Sequence, residues 1–119
     1  MAEITVMLPW PDKLLSPNAR THWAKKAEAA KGYRQLSNVL TRRAMGGDAL
    51  QGQAAHLDIV FHPPTHTRRD LDNCLSSIKS GLDGIADAIR MDDSRWSLGL
   101  SWGSVVKGGT VRITIMVSD

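Results

Sequence analysis

A chain of 119 residues, 42% hydrophobic and 23% charged, has the size and composition of one globular domain, 1–119, whose core needs no covalent staples. A single cysteine, Cys74, excludes an internal disulfide framework, and no apolar run approaches the roughly 18 residues that span a bilayer. The net charge of +3 hides an asymmetry: eight basic residues between Lys13 and Arg43 face only Asp12 and Glu28, whereas half of all acidic residues fall between positions 70 and 93.

Residues 3–8 are β-rich and alternate loosely, which predicts a first strand ended by Pro9-Trp10-Pro11. The same stretch lacks a basic n-region and meets Pro9 too early for a signal peptide, so a soluble, cytoplasmic domain is expected. After a loop through Ser16-Pro17-Asn18, apolar residues recur at Trp23, Ala27, Ala30, Tyr33, Leu36 and Leu40. This spacing predicts an amphipathic helix over 21–44, stopped by Gly46-Gly47. A second strand is expected over 55–62, with Leu57, Ile59 and Phe61 on one face and His56 and His62 on the other. Pro63-Pro64 ends it. A second helix over 71–89 carries the stripe Leu71, Leu75, Ile78, Leu82, Ile85, Ile89. Gly81 and Gly84 interrupt it at about 1 kcal/mol each relative to alanine, a cost that close approach to another backbone would explain. Trp96 to Trp102 alternates as a third strand, Lys107-Gly108-Gly109-Thr110 reads as a hairpin turn, and Val111 to Val117 as a fourth strand. The order β-α-β-α-β-β predicts an α+β fold (an α/β sandwich) with a mixed sheet covered by two helices.

Carboxylates crowded together repel one another unless a cation sits among them. Asp70 and Asp72 stand where a loop enters the second helix, and Asp92-Asp93 follow it. Mg²⁺ takes oxygen ligands, commonly one or two carboxylates with waters and substrate phosphate. The competing reading makes Asp70 an N-cap and Asp72 a first-turn acid that offsets the helix dipole. A straight helix over 71–89 is also too long, at about 1.5 Å per residue, for acids at its two ends to share an ion unless it bends or the chain returns along it. Lys79 lies two turns beyond Asp72 and suits charge neutralisation on a phosphate; its duller role is an exposed lysine paired with Asp83. Arg68 and Arg69, with Arg20, Lys25, Lys26 and Lys31, suit a phosphate backbone, or else simply a solvated surface. The four histidines make no zinc spacing, and no glycine-rich phosphate loop or Rossmann fingerprint occurs. The four tryptophans read as core or interface anchors rather than base-stacking platforms, with Trp10 open to either role.

Arg69-Asp70-Leu71-Asp72-Asn73, a following helix with a lysine, and Asp92-Asp93 resemble the RusA family of Holliday-junction resolvases, especially its phage-type members. The resemblance extends to Leu8-Pro9-Trp10-Pro11, to Ser16 through Trp23, and to Lys107-Gly108-Gly109, so it covers nearly the whole chain. It implies a bacterial or phage-encoded homodimer that cuts branched, four-way DNA by paired symmetric incisions. The expected cofactor is Mg²⁺, with Mn²⁺ as a substitute, and neither a nucleotide cofactor nor a membrane is involved. The family's essential acids match Asp70, Asp72 and Asp93, with Asp92 beside them, and its lysine is similar to Lys79. That lysine follows the aspartate-asparagine pair by three residues in the better-known form and by six here. The resemblance also implies that paired subunits together build the cutting surface. The alternative is a non-catalytic basic DNA-binding module.

Overall fold

The computed structural model describes residues 2–47 and 50–119. Four strands, β1 (Ala2–Pro9), β2 (Ala54–His62), β3 (Trp96–Trp102) and β4 (Thr110–Ser118), form one mixed sheet in the order β1-β4-β2-β3. β4 is antiparallel to both β1 and β2, whereas β2 and β3 run parallel. Alternation sends Val6 and Leu8, Ala55, Leu57, Ile59 and Phe61, and Val111, Ile113, Ile115 and Val117 to one face, where all are buried. Glu3, Asp58 and Arg112 project from the opposite, open face. This is the expected α+β fold.

Two helical arms cover the apolar face. Helix α1 (Trp23–Met45) begins at His22, whose Nδ1 accepts the Ala24 amide at 3.2 Å, and ends at Gly46 in the left-handed conformation (φ 63°). Arg42 and Arg43 in its last turn suit the negative end of the helix dipole. The second arm is broken rather than continuous. Helix α2 (Leu71–Ser77) and helix α3 (Lys79–Ile89) meet at Ile78, whose φ/ψ of −100°/5° leaves the helical region. The predicted single helix is therefore corrected, and the break does not fall at a glycine. Gly81 and Gly84 instead seat α3 against α1: a β-carbon at Gly84 would collide with the Arg34 carbonyl, and one at Gly81 would lie 2.7 Å from the Tyr33 ring. The close backbone approach expected of the two glycines is present.

Two further expectations are overturned. The buried face of α1 carries Tyr33, Ser37 and Thr41, while Leu36 is exposed and Trp23 is 76% exposed. Small hydroxyl residues bury here because they find partners: Ser37 Oγ donates to the Gly81 carbonyl (2.6 Å) and Thr41 Oγ1 to the Ser37 carbonyl (2.7 Å). Nor do β3 and β4 form a hairpin, because both pair with β2, on its opposite sides. Gly108 and Gly109 do turn the chain with positive φ, but within a crossover that passes the end of β2. No helix among the described residues is long and apolar enough to cross a membrane.

Candidate functional site

The motifs scattered along the chain meet around Trp10. Its indole packs edge-on against Phe61 (centroids 6.3 Å apart), and the Arg69 guanidinium lies over its ring at 5.6 Å. Gly109 approaches so closely that a β-carbon there would sit 2.8 Å from Trp10, and its positive φ independently favours glycine. Arg69 also donates to the Thr65 and Thr67 carbonyls (3.0 and 2.8 Å) and to Thr65 Oγ1 (3.0 Å). Arg69 thus pins the loop that delivers Asp70 to the start of α2. Its donors serve the protein itself, unlike those of Arg68, which is exposed. Beside this cluster opens a hollow of about 600 Å³, walled by Lys13, Ser16, Arg68, Asp70 and Asn73 among others. Sequence reasoning counted Lys13 only among the basic residues and Asn73 only as part of a motif, and gave neither a role. The turn at Pro9-Trp10-Pro11, which folds the chain back toward the Arg69 loop, was the available signal.

Asp70 occupies the N-cap position of α2, yet its side chain makes no capping hydrogen bond. Capping alone therefore does not account for it. Asp72, in the first turn of α2, is exposed and shares that helix's face with Leu75 and Ser76, whereas Lys79 opens α3 beyond the break at Ile78. Arg90, left-handed at φ 57°, ends α3, and buried Met91 anchors the chain as it turns back. Asp92 then caps the short 3₁₀ turn Asp93–Arg95, its Oδ2 accepting the Ser94 amide at 3.1 Å. Hydrogen bonds from Ser94, with a smaller contribution from Arg95, hold the Asp92 carboxyl below its ordinary range. Asp93 is returned to the side of Lys79. Both line a second hollow of about 260 Å³ between α2–α3 and β3, together with Leu75, Ser76, Trp96 and Leu98. The broken helix and returning loop bring Asp93 to Lys79, but within one chain they do not bring it to the acids at the start of α2.

Asp70 and Asp93 line different hollows, and no group of three metal-ligating side chains gathers among the described residues of the single chain. Lys79 does not pair with Asp83; among the described residues the one ion pair is Arg34–Asp87, at 2.8 Å. Arg20, Lys25 and Lys31 are exposed, while Lys26 reaches back to the Ser16 carbonyl at 3.4 Å. Cys74 is buried, and burial raises its thiol pKa, with Arg69 acting in the opposite sense. It is placed as an inert core thiol rather than a nucleophile.

The chain is 43% identical over 114 residues to a protein of Xylella fastidiosa (strain Temecula1 / ATCC 700964) described as uncharacterized, an overlap of 93% of this chain and 74% of that protein. The chain belongs to that protein's family. No protein-family model matches the chain.

Proposed function

We propose that this protein is a divalent-metal-dependent endodeoxyribonuclease of the RusA type, acting in the cytoplasm as a homodimer on four-way DNA junctions. The observation that carries the reading is the return of Asp93 to Lys79 in one hollow, while the unbonded Asp70 carboxylate lines the other. The available donors are carboxylate oxygens and the chain's one thiol is buried, a set that fits Mg²⁺ or Mn²⁺ rather than a soft metal. Asp72 and Asp93 would hold the ion with one or two carboxylates, leaving further positions for water and DNA phosphate, and Asp70 would serve the same cutting surface. When bound, such a cation supplies positive charge at the scissile phosphate and acidifies a water toward neutral pH. The Lys79 ammonium offsets charge on a phosphate oxygen within the same hollow. Lys13 and Arg68, at the mouth of the larger hollow, hold flanking phosphates, and exposed Arg20, Lys25 and Lys31 extend that track.

A second reading, a basic module that binds DNA without cutting it, is favoured by the lack of a three-ligand group among the described residues of one chain. One assay separates the two. Purified protein incubated with a labelled four-way junction and Mg²⁺ is expected to yield paired, symmetric nicks that disappear with chelator. A junction that is shifted in a gel but left intact at every Mg²⁺ or Mn²⁺ concentration would make the module correct and the nuclease wrong.

A further inference from the structure

The two edges of the sheet are built differently. β1 carries Glu3 and Pro9, charge and proline being the usual guards against strand addition. β3 reads Trp96-Ser97-Leu98-Gly99-Leu100-Ser101-Trp102, without a charge or a proline, and the sequence is the same in both directions about Gly99. On the helix side of this edge Leu98 is 42% and Trp102 43% exposed. The Trp96 indole Nε1 is shielded from water yet has no hydrogen-bond partner among the described residues.

We infer that β3 is the self-association surface of the protein and that its occupant is the β3 strand of a second copy, running antiparallel about a two-fold axis through Gly99. This deepens the proposed function, which requires a dimer, and rests on that reading only for the need for a pair.

Three physical arguments carry it. First, the hydrogen-bond phase is right. The Gly103 amide donates to the Phe61 carbonyl at 2.8 Å, so by alternation Ser97, Gly99 and Ser101 spend their backbone groups on β2. The backbone groups of Trp96, Leu98, Leu100 and Trp102 then point to the open edge. Antiparallel pairing centred on Gly99 sets Leu98 against Leu100 of the second copy and Trp96 against Trp102, each a pair that exchanges both bonds. Second, an isologous interface requires a surface complementary to itself, and a palindromic strand meets this residue by residue: indole to indole, leucine to leucine, serine to serine. Third, an uncharged strand meets no like-charge repulsion from its own copy, which a charged edge would.

The consequence for the site is direct. Trp96 and Leu98 are walls of the hollow that holds Asp93 and Lys79, so the two copies of that hollow would flank the axis on one face of a doubled sheet. Trp102 of the second copy would close over Trp96, where the indole N–H lacks an acceptor.

The decisive experiment uses single-cysteine cross-linking of the full chain. In this register Gly99 meets its own copy as a non-hydrogen-bonded pair, with Cα atoms about 4.5 Å apart, within disulfide range. A side chain there would meet the His56 ring and Asp58 carboxylate at 3.4 Å, which is ordinary contact. Gly99→Cys should therefore form a disulfide-linked dimer under mild oxidation, while Ser97→Cys, whose opposite number is Ser101, should not. Sedimentation equilibrium should give twice the 13.0 kDa chain mass for the unsubstituted protein and the single mass for Leu98→Lys, with thermal unfolding confirming that the variant is folded. A monomeric unsubstituted protein overturns the inference. So does a dimer that neither cross-links at Gly99→Cys nor yields to Leu98→Lys. Junction cleavage by a dimer paired elsewhere would refute this surface and leave the nuclease standing. Cross-linked dimers that cut nothing under any metal would refute the nuclease and leave the surface standing.

Discussion

The inner side of α3 and the outer side of α2 treat polar atoms in opposite ways. Between α3 and α1, Ser37 Oγ bonds the Gly81 carbonyl, Asn38 Nδ2 the Gly84 carbonyl (3.3 Å) and Arg34 bonds Asp87 twice, with Ser80 Oγ of α3 the exception, buried without a partner among the described residues. On the outer side, Asp72, Lys79 and Asp93 are exposed and outside the one ion pair among the described residues, and Asp70 sits at a cap it does not bond. Residues of the first kind explain why the arm sits where it does. Those of the second kind add charge without adding structure, which leaves them open to a ligand.

Mutagenesis can break that contrast, and the largest effect is expected on the outer side. Asp70→Asn, Asp72→Asn and Asp93→Asn should each lower junction cleavage by about 100-fold or more, while stability stays within about 0.5 kcal/mol. Junction binding should persist, since each change removes a charge that repels DNA. Cleavage and unfolding midpoint falling together would show that these acids belong to the fold after all. On the inner side, Gly84→Ala should cost about 3 kcal/mol in urea unfolding, because the added carbon meets the rigid backbone of α1. An unchanged midpoint would mean the helices can part freely. Ser37→Ala should cost about 1 kcal/mol by removing the hydroxyl's bond to the Gly81 carbonyl, which keeps its helical partner; a neutral result would show that water takes the hydroxyl's place.

The smallest effect is expected from Arg34 and Asp87. The hydrogen bond from Arg34 lowers the Asp87 pKa, so the folded value lies beneath the unfolded one. Its contribution is present above the ordinary carboxylate range and lost as pH falls through the lowered value. Both side chains are about half exposed, so the contribution is small and screened by salt. Arg34→Gln should therefore flatten the acid limb of stability against pH below about 4. An acid limb identical to that of the unsubstituted protein would remove the pair from the stability account.

How much of this was legible in the sequence depended on the period of each segment. Strict alternation fixed β3 at Trp96–Trp102 and put Leu57, Ile59 and Phe61 on the buried face. The partner of β3 was not legible, because alternation marks a strand without naming its neighbour, and the glycines at 108 and 109 serve a crossover as well as a hairpin. The buried face of α1 was misread because Ser37 and Thr41 bury through hydrogen bonds that a hydrophobicity pattern does not register. Ile78 gave no sign of the helix break, being an ordinary member of the apolar stripe. The acids read as one group in the sequence, yet Asp70 and Asp93 line different hollows, and the return of Asp93 to Lys79 was not legible. It hangs on a left-handed Arg90, a conformation that sequence assigns to glycine or asparagine far more readily.

The placement of β4 between β1 and β2 has a consequence for biosynthesis. Ala2 finds its neighbour only at Val117, so β1 is synthesised long before the strand that closes its ladder. A nascent chain therefore carries Val6 and Leu8 without their sheet partner until β4 has been made, and assembly of the sheet is non-local and slow to nucleate.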